Sequence, residues 1–124
     1  MKIAIVGSRD FTNYEAMKKA FDIVKEQYPV SEILTGCAMG ADSLAVQLAN
    51  ERDYKLTVFK ADWNRYGKGA GPVRNTDLVN KSDIVMVFWN GISRGSKDVI
   101  RKAIMANKIL VCVSSENTPV FSMN

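Results

Sequence analysis

Residues 3–10 carry the pattern that decides the fold: Ile3-Ala4-Ile5-Val6-Gly7-Ser8-Arg9-Asp10. Four consecutive apolar residues are typical of a strand that is buried on both faces of a parallel sheet. The glycine and the polar residues that follow are typical of a turn at the end of such a strand. This stretch therefore predicts a parallel sheet with a polar, glycine-containing loop at its edge.

Four further short apolar runs follow, and helical patterns separate them. The runs are residues 33–35, 56–59, 84–88 and 109–113. The first helical pattern begins with a Thr12-x-x-Glu15 capping box, and the second covers Asp42–Arg52. The third follows a loop and has Pro72 in its first turn, and the fourth is capped by Ser93 or Ser96. This alternation predicts a Rossmann-like three-layer α/β sandwich, with a mainly parallel five-stranded sheet and helices on both faces.

The length and composition predict one domain. The 124 residues are 47% hydrophobic and 24% charged, as in ordinary globular proteins. We assign residues 1–113 to a single Rossmann-like domain and residues 114–124 to a polar C-terminal tail. No apolar run is long enough for a membrane span or a signal peptide, so the cytoplasm is the expected location and no membrane partner is expected.

The charge and the missing histidine restrict the chemistry. A net charge of +4, from 17 basic and 13 acidic residues, favours anionic partners, but no run of Lys and Arg indicates nucleic acid. The chain contains no histidine, which is the usual acid–base group near neutral pH and the commonest metal ligand. The sequence therefore predicts neither a metal site nor a cofactor.

Small and polar residues follow the strands, at the edge where parallel α/β sheets bind ligands. Glycine lets the backbone approach a phosphate, and a helix that starts directly afterwards offers free N–H groups. The candidate ligand-binding residues in these loops are Gly7, Ser8, Arg9, Gly36, Gly40, Ala41, Asp42, Gly91, Ser93, Gly95 and Ser96. An alternative stays open for each loop, namely that its glycines only form tight turns. Neither the G-x-G-x-x-G motif nor a Walker loop is present.

Three residue types at this edge could contact a nucleotide. Arg9, Arg74 and Arg94 are placed to meet phosphate oxygens, although surface exposure is the commonest role of an arginine. Arg74 is the strongest of these candidates because a cation in the first turn of a helix opposes the dipole. The aromatic candidates for stacking are Trp63, Tyr66 and Trp89, of which Trp89 is equally well explained by core packing. The carboxylates are Asp42, Asp62 and Asp98; Asp42 could instead favour a helix N-terminus, and Asp62 could hold a loop.

Five motifs in order resemble the YspA-like family of the SLOG superfamily, which also contains DprA and the LOG proteins. They are Val6–Phe11, Thr35–Asp42, Ala61–Trp63 with Tyr66-Gly67, Ala70–Asn75, and Trp89–Gly91 with Ser93–Ser96, and the resemblance runs from about residue 3 to residue 113. It implies a Rossmann-like fold and a nucleotide-related ligand at the strand ends. Arg74 and Asn75 match the arginine-containing motif of the LOG helix.

The same resemblance implies that the catalytic part of the site is altered. LOG relatives cleave the N-glycosidic bond of nucleoside monophosphates, with a glutamate at the end of a Gly-Thr-x-x-Glu motif. The matching stretch is Gly95-Ser96-Lys97-Asp98-Val99, so valine occupies the glutamate position and Asp98 stands one residue early. One residue rotates a helical side chain by about 100°. Asp98, Asp42 and Asp62 stay as candidate catalytic residues.

Three functions follow. The first is binding or sensing of a nucleotide or nucleotide-derived phosphate ligand. The second is a LOG-like phosphoribohydrolase, and the sequence leaves open whether the chain is an enzyme. The third, by analogy with DprA, is single-stranded nucleic-acid binding, for which the charge gives little support. A homodimer is also an open alternative.

Overall fold

The apolar runs form five parallel strands, and helices cover both faces of the sheet. The computed structural model describes residues 1–114 and 121–123. In chain order the elements are β1 (Lys2–Gly7), α1 (Tyr14–Gln27), β2 (Glu32–Thr35), α2 (Ala41–Glu51), β3 (Lys55–Val58), α3 (Trp63–Tyr66), a 3₁₀ turn (Gly67–Gly69), α4 (Ala70–Lys81), β4 (Ile84–Trp89), α5 (Arg94–Met105), β5 (Ile109–Ser114) and β6 (Phe121–Met123). The predicted Rossmann-like fold is confirmed. No helix within the described ranges has the length and apolar character needed to cross a bilayer.

The order of the strands is β3-β2-β1-β4-β5-β6, with β1 near the centre. The chain moves outward from β1 through β2 to β3, and it then returns to pair β4 with the other side of β1. Right-handed crossovers on the two sides of β1 place their helices on opposite faces. The carboxyl ends of β1 and β4 therefore form the switch point at which open α/β sheets bind ligands.

Two apolar layers enclose the sheet, because successive strand side chains point to opposite faces. Ile3 and Ile5 of β1 pack with buried residues of α1 and α2. Ala4 and Val6 point the other way and pack with buried residues of α4 and α5. Burial on both faces explains why β1 and β4 are continuously apolar in sequence.

The observed elements differ from the predicted ones at three places, each of which involves only a few residues. Helix α3 and the 3₁₀ turn occupy residues that the sequence assigns to a loop, because four and three residues are too few to show a helical period. Helix α2 begins at Ala41 rather than Asp42. Strand β6, which lies in the segment assigned to a polar tail, adds a sixth, antiparallel strand next to β5. Residues 115–120 and 124 of that predicted tail lie outside the described residues.

The first helix is capped by Asn13, so the predicted Thr12 capping box is wrong. The Asn13 Oδ1 atom accepts a hydrogen bond from the Ala16 amide at 3.0 Å, and α1 begins at Tyr14. Thr12 is exposed, and its carbonyl oxygen accepts a hydrogen bond from the Tyr14 amide. Asparagine is at least as good an N-cap as threonine, so the cap falls one residue later than the capping-box pattern indicates.

We expect Asn13→Ala to lower the free energy of unfolding by about 1 kcal/mol, because it leaves an N-terminal amide of α1 without its side-chain acceptor. The matched control is Thr12→Ala, which should change stability by less than about 0.5 kcal/mol. Urea denaturation of both variants measures the difference. A larger loss in Thr12→Ala than in Asn13→Ala would contradict the observed cap.

Candidate functional site

A cavity of about 290 Å³ opens beyond the carboxyl end of β1, at the switch point of the sheet. Five segments form its wall: the end of β1 with its loop, the loop between β2 and α2, the start of α2, the second turn of α4 and the start of α5. The residues that line it are Val6, Gly7, Arg9, Ala38, Asp42, Arg74, Asn75, Ser93, Gly95, Ser96 and Val99. Eight of these were predicted from the sequence as ligand-binding residues: Gly7, Arg9, Asp42, Arg74, Asn75, Ser93, Gly95 and Ser96.

Gly7 allows α2 to start directly against the end of β1. A Cβ atom at Gly7 would collide with the Phe88 carbonyl oxygen and would lie 2.8 Å from the Cβ of Ala41. Ala41 is itself fully buried, and its amide donates to the Ser8 carbonyl oxygen at 3.2 Å. Gly7 therefore brings the N-terminus of α2 to the cavity, and Ala41 acts as packing beneath it.

Ser8 and Gly40 build the loops instead of lining the cavity. Ser8 is buried, and its hydroxyl accepts a hydrogen bond from the Asn90 amide at 3.0 Å. Gly40 has a φ of 71° and packs against the backbone carbonyls of Ser8 and Arg9, where a Cβ atom would collide. A side chain at residue 40 is excluded both by this conformation and by the lack of space. These two predicted residues thus hold the β1 and β2 loops together.

Asp42 is a buried carboxylate on the cavity wall. It is 4% exposed, its Oδ2 accepts a hydrogen bond from the Ala38 amide at 3.3 Å, and its Oδ1 has no hydrogen-bond partner among the described residues. Burial raises the pKa of Asp42 to about 6, against the opposing effects of the Ala38 amide and the positive charge of Arg74. The carboxyl therefore exchanges a proton near neutral pH, in a position where a ligand would be close.

Arg74 and Asp42 both lie over Gly36. A Cβ atom at Gly36 would come 2.5 Å from the Asp42 Oδ2 and 2.7 Å from an Arg74 terminal nitrogen. Arg74 donates to the Asn75 Oδ1 at 2.9 Å and to the Phe59 carbonyl oxygen at 3.4 Å, and it forms no ion pair with a carboxylate within residues 1–114. Its charge is thus held at the cavity by neutral acceptors and stays available to an anion.

Asn75 connects Arg74 to a charged cluster on α5. The Asn75 amide nitrogen donates to the Asp98 Oδ2 at 3.1 Å, while its oxygen accepts from Arg74. Asp98 also accepts from Lys102 at 2.8 Å and from Arg101 at 2.9 Å. Burial alone would raise the pKa of Asp98, but the hydrogen bonds from Lys102, Asn75 and Arg101 outweigh it and lower the pKa. Asp98 therefore holds Asn75 in place through a hydrogen bond, and it does not line the cavity.

The N-terminus of α5 closes the opposite side of the cavity. Ser93 is its N-cap, and the Ser93 hydroxyl accepts from the Ser96 amide at 3.4 Å. The alternative cap, Ser96, is a buried residue of the cavity wall, and its hydroxyl has no hydrogen-bond partner in the part of the chain that the structure describes. Free amides and the positive end of the helix dipole favour an anion here.

A second cavity of about 240 Å³ lies next to the first. It is lined by Arg9, Cys37, Ala38, Lys60, Ala61, Trp63 and Arg74. Arg9, Ala38 and Arg74 line both cavities, so the two share one wall. Predicted residue Trp63 belongs to this second cavity.

The remaining candidates lie outside both cavities. Asp62 caps α3 by accepting from the Arg65 amide at 3.1 Å, which is the loop-holding role left open in the sequence. Trp89 donates from its indole nitrogen to the Ser93 carbonyl oxygen at 3.0 Å and supports the α5 cap. Arg94, Tyr66 and Gly91 line neither cavity.

Sequence reasoning missed several lining residues. They are Val6, Ala38 and Val99 in the first cavity and Cys37, Lys60 and Ala61 in the second. Val99 could have been found, because it stands where the LOG motif has its glutamate, and it faces the cavity. Val6, Cys37, Ala38 and Ala61 lie within the motifs that carry the resemblance, but their side chains do not indicate a ligand. Lys60 lies in none of these motifs and follows the edge strand β3.

The fold and this cleft define a Rossmann-like α/β domain with its candidate site at the strand ends. The chain belongs to the YspA, cpYpsA-related SLOG family, whose family model matches residues 1–66. It is also 28% identical over 109 residues to the Gene 61 protein of Mycobacterium phage D29. The aligned region covers 82% of this chain and 87% of that protein. The family relates the chain to nucleotide or nucleic-acid binding.

Proposed function

We propose that this protein binds a nucleotide or a nucleotide-derived phosphate in the cleft at the switch point. The observation that carries the proposal is the state of Arg74, which Asn75 holds at the cavity wall and which forms no ion pair within residues 1–114, although its charge acts on the nearby Asp42 carboxyl. Arg9 lines the same cavity, is exposed, and has no ion pair or hydrogen bond to a side chain of residues 1–114. Two available guanidinium groups beside the N-terminus of α5 form an arrangement that suits a phosphate group.

The positions of the carboxylates favour binding without cleavage, because two of the three candidate catalytic carboxylates are engaged in structural contacts. Valine replaces the glutamate of the LOG motif on the cavity wall, and it can neither transfer a proton nor act as a nucleophile. Asp98 is occupied by three donors, and Asp62 caps α3. The volume of the first cavity suits one small phosphate ligand. A nucleotide ligand also agrees with the cytoplasmic location that the sequence predicts.

The direct test compares Arg74→Ala with Arg94→Ala by calorimetric titration with adenosine 5′-monophosphate and ribose 5-phosphate. A hydrogen bond to a charged group contributes about 1.5–3 kcal/mol, so Arg74→Ala should weaken binding by about 10- to 100-fold. Arg94 has the same charge near the start of α5 but lines neither cavity, and its removal should change affinity by less than about threefold. Equal losses in the two variants would show that only the net charge matters.

Hydrolysis is the second candidate, and one observation favours it. Asp42 is the carboxylate on the cavity wall, and burial raises its pKa to about 6, which is a suitable value for a general acid or base. A phosphoribohydrolase should release free base from nucleoside monophosphates, and Asp42→Asn should abolish that release. If the wild-type protein releases no base from a panel of such substrates, hydrolysis is excluded and binding stands.

A further inference from the structure

The second cavity presents an aromatic face beside two cations. Trp63 is 59% exposed, although it begins a short helix that Asp62 caps. One edge of its indole lies near α4, since a Cβ atom at Gly71 would come 3.9 Å from the Trp63 ring. Trp89, in contrast, is half-buried and uses its indole nitrogen within the protein. Much of the Trp63 ring therefore faces solvent next to the cavity.

Two cations that line this cavity have no ion-pair partner among the residues that the structure describes. They are Lys60 and Arg9, both of which are exposed. Arg74 forms part of the wall between the two cavities. An exposed indole flanked by cations is suited to a planar ring attached to an anion, because the ring stacks while the cations meet the charge.

The two cavities adjoin, so one ligand can enter both. Their volumes are about 290 and 240 Å³, near the lower end of the range of about 300–1,000 Å³ that is usual for small-molecule sites, and together they offer room for a nucleotide. The shared wall of Arg9, Ala38 and Arg74 makes them neighbouring compartments of one cleft. Their chemistry differs, because the first offers hydroxyls and a helix N-terminus, whereas the second offers the indole.

We propose that the second cavity is the base subsite of the cleft, so that the ligand is a nucleoside 5′-phosphate with its base intact rather than a sugar phosphate. The phosphate lies against Arg74 and the start of α5, the sugar crosses the shared wall at Ala38, and the base stacks on Trp63. This inference rests on the proposed function, because it places the phosphate in the first cavity.

The test compares adenosine 5′-monophosphate with ribose 5-phosphate, which lacks the base, by calorimetric titration of the folded full chain. Stacking on an aromatic side chain contributes about 1–3 kcal/mol per base, so the nucleotide should bind the wild-type protein about 5- to 150-fold more tightly. Trp63→Ala should reduce this advantage to less than about threefold and leave the affinity for ribose 5-phosphate unchanged. Trp63→Phe should restore part of the advantage.

The matched control is Tyr66→Ala, which removes another exposed aromatic side chain of the same helix that lines neither cavity. It should keep the full advantage of the nucleotide. An advantage that survives in Trp63→Ala, or that is absent from the wild-type protein while ribose 5-phosphate still binds through Arg74, would overturn the base subsite alone. If neither compound binds the wild-type protein, the proposed function fails, and the base subsite fails with it.

Discussion

Gly36→Ala should weaken binding of adenosine 5′-monophosphate by about 100-fold and should lower the free energy of unfolding by about 1–3 kcal/mol. The added methyl group would stand 2.5 Å from the Asp42 Oδ2 and 2.7 Å from an Arg74 terminal nitrogen. Arg74 has a long side chain that can move aside, whereas Asp42 is short and buried and can yield only with strain. Arg74 would then leave the position from which it faces the cavity. Calorimetric titration and urea denaturation measure the two effects.

Gly69→Ala is the matched control for this variant. Nothing lies within 4 Å of the position that its Cβ would take, and its φ of −81° suits any residue. It should therefore retain the wild-type affinity. If Gly36→Ala also binds the nucleotide normally, the placement of Arg74 and Asp42 over Gly36 has no role in recognition.

Asp42→Asn should raise the free energy of unfolding by about 2 kcal/mol at about pH 7.5 and should have no such effect at about pH 4. Burial raises the pKa of Asp42 from 3.8 to about 6. The folded protein therefore binds the proton more tightly than the unfolded chain does. The stability that comes from the neutral carboxyl is fully present below pH 3.8 and is lost as the pH rises through about 6. An amide stays neutral throughout, so the advantage of the variant appears only on the alkaline side.

The expected gain is smaller than the shift of about two pH units would give, because the amide NH2 group of the new asparagine takes the place of Oδ1, which has no hydrogen-bond partner among the described residues. Asp77→Asn is the control, since Asp77 is an exposed carboxylate elsewhere on the surface, on α4. Thermal unfolding of the three proteins from about pH 4 to about pH 8 provides the measurement. A difference between Asp42→Asn and the wild-type protein that is independent of pH would contradict the raised pKa.

The parts of the fold that depend on burial were predictable from the sequence. Residues 84–88 are continuously apolar because β4 is covered on both faces, and the same reason made β1 recognisable. Short elements were not predictable in this way. Helix α3 has four residues and strand β6 has three, so neither completes enough of a period to be recognised. The N-cap at Asn13 depended on a choice between two adjacent residues that are both able to cap.

The candidate site was predictable where glycines and polar residues directly follow a strand. It was not predictable where side chains from elements distant in sequence meet. The sequence placed Arg74 in the first turn of its helix, which is wrong, because α4 begins at Ala70 and Arg74 lies in its second turn. The hydrogen bond from Asn75 to Asp98 joins residues 23 positions apart on two helices, which no local pattern shows. Ser8 carries the same polar signal as a ligand-binding serine, yet it is buried beneath Asn90. Lys60 reaches the cleft because β3 is the edge strand next to β2, which only the topology determines.

The most direct test of the nucleotide-binding cleft is an amide chemical-shift titration of the uniformly ¹⁵N-labelled protein with adenosine 5′-monophosphate. The proposed site predicts saturable shifts for the amides of Gly7, Ala38, Gly95 and Ser96, which line the first cavity, and their loss in Arg74→Ala. Saturable shifts confined to another surface, such as α1 (Tyr14–Gln27), or no shift at all with excess nucleotide, would contradict the assignment of this cleft as the nucleotide site.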